Sequence, residues 1–293
     1  IYAAAMGAQV INCSWGDPMS SQAEQEAVNI ATELGSLIIS TAGNNNSYTS
    51  FYPGSYSNVC SVAWLEEDDR QISGNYHETV DIGAPGTSIY STMTDNRYGG
   101  MSGSSMAAPV VSGAAALVRL RFPRISPQEV LARLKAGADA TDRLNPTLAG
   151  FLGIGRLNVL QAVQTVNPTF IDIQRFTMQD ENRNGLLESG ETVTVTLTLA
   201  NSATPVNGAR ITMRTTIDPK GRFYPFFNDT VKQIPALNAN ENRTNAVSFT
   251  FRLTTNLTQN FAVPLLFSVY DANNKLIGRN SLRLMAERSY QTL

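Results

Sequence analysis

The period of the apolar residues changes once along this chain, near residue 167, and that change limits the fold more than any other feature. Before it, "QVINCSW", "LIISTAGN" and "VCSVAWL" are short, almost continuous apolar runs with β-branched residues. They read as strands buried on both faces. Between the first two, Ala27, Ile30, Ala31 and Leu34 recur at helical spacing. Ser21 and Glu24 resemble a capping box, and Gly35 ends the helix. Buried strands alternating with helices predict an α/β parallel sheet with flanking helices. After residue 167 the helical spacing is lost. "ETVTVTLTLA" alternates strictly, with Val193, Val195, Leu197 and Leu199 on one face and Thr194, Thr196 and Thr198 on the other. "ARITMRTTI", "AVSFTFRLTT" and "AVPLLFSVYD" follow, separated by Asn, Gly and Pro turns. About seven short strands over roughly 125 residues predict an antiparallel β-sandwich. The expected division is an α/β domain over residues 1–166 and an all-β domain over 167–293, with the boundary near Asn167-Pro168.

Composition narrows the function classes. Of 293 residues 42% are apolar, which suffices for two cores, while 16% are charged and the net charge is −2. That balance excludes a nucleic-acid or polyanion binder, which needs clustered Lys and Arg. No apolar run reaches the roughly 18 residues of a membrane helix. Low charge with many Thr, Ser and Asn residues suits a secreted or cell-surface protein. Cys13 and Cys60 sit in apolar runs and read as buried free thiols rather than a disulfide. The opening "IYAAAMGAQVINCSWG" starts inside an apolar pattern with no targeting segment. It reads as the interior of a domain, so the chain is expected to be the C-terminal part of a longer protein.

The stretch "YGGMSGSSMAAPVVSG" places a flexible, hydroxyl-rich turn against a helix expected from Ser105 to about Phe122. That helix is apolar almost all round at Ala114 to Val118, so it is expected to be buried, with Pro109 tolerated in its first turns. Ser105 at its start has a backbone N–H and a helix dipole suited to an oxyanion. It would serve equally as an N-cap, as would Ser104. Asn44 in "STAGNNN" follows a parallel strand, where open α/β sheets bind ligands, and it also fits an ordinary turn. Further helices are expected at "SPQEVLARLKAGA", with Ser126 as N-cap and Pro127 first, and at "LNVLQAVQTV".

Taken in order, "VINCSWG", "STAGNNN", "YPGSYSNVCSVAW", "VDIGAPGTSIYST" and "GSSMAAPVVSGAAALV" resemble the subtilisin-like serine proteases, the subtilases, over roughly residues 1–165. The resemblance implies a serine endopeptidase acting on polypeptides, with Ser105 as nucleophile. Asn44 and the Ser105 N–H would form the oxyanion hole. Ser14, Trp15 and Gly16 would pair with the substrate backbone, and Thr41, Ala42 and Gly43 would form the other wall of the pocket for the residue before the cleaved bond. Phe51 falls near the floor of that pocket, which would make it shallow and suited to small or medium side chains. Ser104 holds a position often occupied by Thr, and Val110 one where many relatives have His. The triad order in this family is Asp, His, Ser. Its Asp and His precede "VINCSWG", so both are expected in an upstream segment acting as this chain's partner. The single His, His77, lies in a loop motif unsuited to the base and reads as a turn or surface residue. The alternative is a catalytically inactive, subtilase-like binding or structural subunit of a cell-surface or outer-membrane complex.

Residues 180–191, "DENRNGLLESGE", fit a twelve-residue calcium-loop pattern through Asp180, Asn182, Asn184, Gly185 and Glu191. Leu186 would offer its carbonyl and Glu188 occupies the ninth position. A strand follows, so this is no EF-hand, and a solvated Asn/Gly turn explains the same residues. Asp68-Asp69 reads as an exposed turn. No organic cofactor is expected. Asn228-Asp229-Thr230-Val231 resembles an O-glycosylation context of secreted proteins, and the sandwich is read as an Ig-like module that binds a surface, a substrate or a neighbour.

Overall fold

A computed structural model describes residues 1–185, 187–188, 190–215, 230–252 and 261–287. The chain divides into two units, Ile1–Asn145 with Phe151–Pro168, and Pro146–Gly150 with Thr169–Leu293. A single cut near Asn167-Pro168 therefore misses the short stretch Pro146–Gly150, which goes with the second unit.

The first unit runs α1 (Tyr2–Ala5), β1 (Val10–Cys13), α2 (Gln22–Glu33), β2 (Leu37–Thr41), β3 (Val59–Leu65), β4 (Ile82–Pro85), β5 (Ile89–Met93), β6 (Arg97–Met101), α3 (Ser104–Arg121), α4 (Pro127–Ala136) and α5 (Val159–Gln164). Strands β1-β2-β3-β4 pair in parallel in that order. Leu37 and Ile39 of β2 join Cys60, Val62 and Ile82 in a core with α3, while Ile38 joins a second core with Val28 and Ala31 of α2. Alternate residues of one strand thus face helices on opposite sides, which is why these strands are apolar throughout. Each such fully buried aliphatic side chain contributes about 1.5–3 kcal/mol.

Helix α3 packs across all four strands through Ala107, Ala108, Val111, Ala114, Ala115 and Val118. Alanine brings the helix backbone close to the sheet. The expectation of burial all round is corrected: Leu117 is 49% and Leu120 79% exposed. Apolar character on every face does not decide which face is covered. Helix α4 has the expected capping box, with Ser126 Oγ accepting from the Glu129 N–H at 3.2 Å and Glu129 Oε2 from the Ser126 N–H at 2.7 Å. The box expected at Ser21 and Glu24 does not close. The Tyr56 hydroxyl stands between them, accepting from the Ser21 N–H at 2.6 Å and donating to Glu24 Oε2 at 2.8 Å.

The stretch "YGGM", expected as part of a flexible turn, is strand β6 of an antiparallel ribbon with β5. The turn places Asp95 and Asn96 at φ of 59° and 54°, a left-handed conformation that Asp and Asn tolerate. Cys13 and Cys60 are free and buried, and burial pushes both thiols above their usual range.

The second unit holds β7 (Asp172–Asp180), β8 (Leu187–Glu188), β9 (Thr192–Asn201), β10 (Arg210–Thr215), β11 (Val231–Gln233), β12 (Glu241–Arg252), β13 (Phe261–Tyr270) and β14 (Leu276–Glu287). Among the described residues these form a sheet ordered β11-β10-β13-β14-β8 and another ordered β12-β9-β7. Val193, Val195, Leu197 and Leu199 of β9 are fully buried in a core shared with Phe249 and Phe251 of β12 and Phe267 of β13. The threonines between them stay half-buried, as period-2 alternation requires. One pairing departs from the antiparallel expectation: β8 runs parallel to β14. Asn228 and Asp229 lie outside the described residues. Among the described residues no helix is long and apolar enough to cross a membrane.

Candidate active site

The site forms at the C-terminal ends of β1 and β2 and the N-terminus of α3. Gly103 is the N-cap of α3, with φ of 149°, and its N–H donates to the Gly86 carbonyl at 2.8 Å. The Gly86 N–H in turn donates to the Leu65 carbonyl at 3.0 Å. The start of α3 is thereby tied to the end of β3. A Cβ on Gly86 would meet Trp64 Cδ1 at 2.6 Å and the Gly103 carbonyl oxygen at 2.7 Å, so this joint needs glycine.

Ser104 is fully buried and organises the turn. Its N–H donates to Asn44 Oδ1 at 2.8 Å, and its hydroxyl lies 2.7 Å from the same oxygen. The hydroxyl also lies 3.1 Å from the Gly43 carbonyl and contacts Thr41 Oγ1. With Oδ1 so engaged, the Asn44 amide is oriented and its Nδ2 is left over. Among the described residues neither Asn44 Nδ2 nor the Ser105 N–H has a hydrogen-bond acceptor. Asn44 is exposed and Ser105 half-buried. The sequence singled out Ser104 only for its place before Ser105. Its role in aiming Asn44 was signalled by nothing but a hydroxyl at that position.

The hydroxyl of Ser105 donates to the Ser14 carbonyl at 3.2 Å, and the Ser14 hydroxyl donates to the Ser105 carbonyl at 2.8 Å. Ser14, Trp15 and Gly16 continue from β1, and Trp15 is 58% exposed. Gly16, at φ of 158°, lies so close to the next segment that a Cβ would stand 2.0 Å from the Tyr52 carbonyl oxygen and 2.7 Å from Phe51 Cε1. On the other side, a Cβ on Gly43, at φ of 101°, would stand 2.3 Å from Asn75 Nδ2 and 3.1 Å from Phe51 Cδ2. Cε1 and Cδ2 are opposite corners of the phenyl ring. Phe51 therefore spans the gap between residues 14–16 and residues 41–43. Asn75, which the sequence reading passed over, is buried and accepts from the Asn45 N–H at 2.8 Å.

His77 is more enclosed than a surface residue. Its side chain is 12% exposed, its Nε2 lies 3.2 Å from Ser50 Oγ and its Nδ1 3.0 Å from Thr79 Oγ1. Its ring packs on Tyr48 at 4.8 Å.

The residues of the candidate calcium loop share one turn, but their oxygens face the loop's own donors. Asp180 Oδ2 accepts from the Gly185 N–H at 3.0 Å and Glu191 Oε1 from the Asn182 N–H at 3.1 Å. Glu188 Oε2 accepts from both Asn182 Nδ2 and Asn184 Nδ2 at 3.1 Å. Leu186 lies outside the described residues. Among the described residues no group of three His, Cys, Asp or Glu is placed to hold a metal ion.

The model of the subtilase family, peptidase S8, matches residues 1–155. The chain belongs to the subtilase family. This subtilase is 50% identical over 119 residues to the thermophilic serine proteinase of Bacillus sp. (strain AK1), covering 40% of this chain and 30% of that protein. It is 36% identical over 165 residues to thermitase of Thermoactinomyces vulgaris, covering 56% and 57%, and 35% identical over 163 residues to subtilisin DY of Bacillus licheniformis, covering 54% and 58%. The chain spans between 30% and 58% of the length of these curated relatives. Among solved structures it is similar to the prenylagaramide maturation protease PagA, at a TM-score of 0.52 and 27% identity over 56% of this chain and 63% of that one. The patellamide maturation protease PatA matches at 0.51 and 29%, covering 55% and 64%.

Proposed function

We propose that this subtilase is part of a secreted or cell-surface serine endopeptidase, with Ser105 as its nucleophile. One observation carries the reading. Ser104 ties up Asn44 Oδ1, so that Asn44 Nδ2 and the Ser105 N–H remain as two uncommitted donors at the start of α3, where the Ser105 hydroxyl also sits. In this mechanism Ser105 Oγ attacks the scissile carbonyl, and the two donors take the charge that develops on its oxygen. The helix dipole adds to them. The present acceptor of the Ser105 hydroxyl is the Ser14 carbonyl, which cannot take up a proton near neutral pH. The base is a His oriented by an Asp, both supplied by the upstream segment. The substrate backbone pairs with Ser14-Trp15-Gly16 and lies against Thr41-Ala42-Gly43.

A fluorophosphonate probe tests the reading on protein that includes the upstream segment. Labelling mapped to Ser105 supports it. An unlabelled Ser105 overturns it in favour of an inactive, subtilase-like subunit of a surface complex. The β-rich unit is read as an Ig-like module that holds a surface, a substrate or a neighbour. Calcium at the 180–191 loop rests on the sequence pattern alone.

Phe51 sets the depth of the cleft in this reading. Replacing Phe51 with Gly is expected to raise kcat/KM for substrates with Leu or Phe before the scissile bond, relative to Ala, by roughly tenfold or more. Cleavage of a peptide series varied at that one residue measures it. An unchanged ratio would place the ring outside the pocket.

A further inference from the structure

Pro109 stands in the second turn of α3 and has no N–H. The carbonyl four residues earlier, that of Ser105, therefore lacks the N–H that would ordinarily donate to it. The Ser14 hydroxyl lies 2.8 Å from it. A carbonyl only accepts, so the Ser14 proton is committed to that bond, and Ser14 Oγ can only accept from anything else. Asn12 Nδ2 donates to it at 2.8 Å. The Asn12 amide is thereby oriented with Oδ1 outward, and Oδ1 lies 2.9 Å from the Ser112 hydroxyl, two turns along α3 from Ser105. The same hydroxyl lies 3.1 Å from the Ala108 carbonyl. The donor directions from Asn12 to Ser14 and from Ser14 to Ser105 are fixed by chemistry, while the one Ser112 proton is shared between Asn12 Oδ1 and the Ala108 carbonyl; bonds in such a series reinforce one another.

We infer that the Ser14 hydroxyl is the helix donor that Pro109 lacks, and that Asn12 and Ser112 are positioning residues that hold it against the Ser105 carbonyl. Together with the bond from Ser105 Oγ to the Ser14 carbonyl, this clasps the residue at both its main chain and its side chain. Small displacements of a reacting group are costly in rate, so the clasp keeps Ser105 in place. Its catalytic consequence rests on the protease reading, but the clasp itself does not.

The test is a cycle of Ser14→Ala, Pro109→Ala and the double variant in the natural full-length protein, with Ser14→Thr as the conservative control. Alanine at 109 restores an N–H four residues after Ser105, which makes the Ser14 hydroxyl redundant. Two readouts are used: amide hydrogen exchange over residues 105–112 and the rate of fluorophosphonate labelling. Ser14→Ala is expected to speed exchange and slow labelling about tenfold each, with KM for a peptide substrate within about twofold. Ser14→Thr keeps the hydroxyl and is expected to retain the slow exchange over residues 105–112, a readout that does not depend on substrate binding. In the Pro109→Ala background the Ser14→Ala effect shrinks to about twofold or less. Asn12→Ala is expected to move both readouts in the same direction as Ser14→Ala, by less. An equal Ser14→Ala effect in both backgrounds, or none in wild type, overturns the inference. A wild-type protein that exchanges as expected but takes no label overturns the protease reading and leaves the clasp standing.

Discussion

Replacing Ser105 with Ala is expected to lower kcat by roughly 10⁶-fold, the scale set by removing the nucleophile from a related subtilisin, and to abolish labelling by a fluorophosphonate. The protein is expected to remain folded. Ser105 is half-buried, its side chain makes one long bond of 3.2 Å to the Ser14 carbonyl, and its main chain keeps the bond from the Ser14 hydroxyl at 2.8 Å. Thermal unfolding of the variant, measured beside its activity, separates a lost nucleophile from a lost fold. Retention of activity above roughly a hundredth of wild type would assign the nucleophile elsewhere.

Replacing Asn44 with Ala is expected to cost roughly 10²–10³ in kcat with KM little changed, the range known for the oxyanion Asn of a related subtilisin. A donor aimed at a developing charge acts in the transition state and adds little to ground-state binding. A loss confined to KM would instead make Asn44 a substrate-binding residue. Ser104→Ala offers a sharper comparison. It removes the hydroxyl 2.7 Å from Asn44 Oδ1 but keeps the N–H that donates to the same oxygen at 2.8 Å. Its loss is expected to be smaller than that of Asn44→Ala, since one of two constraints on the amide remains.

How far the fold could be read in advance depended on which interactions define each element. The parallel sheet was legible because Leu37, Ile38 and Ile39 face helices on both sides, and burial on both faces leaves an unbroken apolar run. The capping box of α4 was legible because its partners are three residues apart. That at α2 was not, because Tyr56, distant in sequence, inserts its hydroxyl between the two partners. The β5–β6 ribbon was missed because "YGGM" carries little β-branched or alternating signal, and its pairing with residues 89–93 holds it instead.

By itself the sequence determined the alternation of buried strands and helices, the switch to period-2 strands near residue 167 and the ordered motifs that place Ser105 and Asn44 in one family. These follow from local spacing, in which a residue's neighbours along the chain decide its face. Tertiary structure alone decided which way the Asn44 amide points, that Phe51 lies between Gly16 and Gly43 and that the Ser14 hydroxyl reaches the carbonyl whose N–H partner Pro109 lacks. The Asn44 and Ser14 bonds join groups 60 and 91 residues apart, and their directions exist only once both partners are in place.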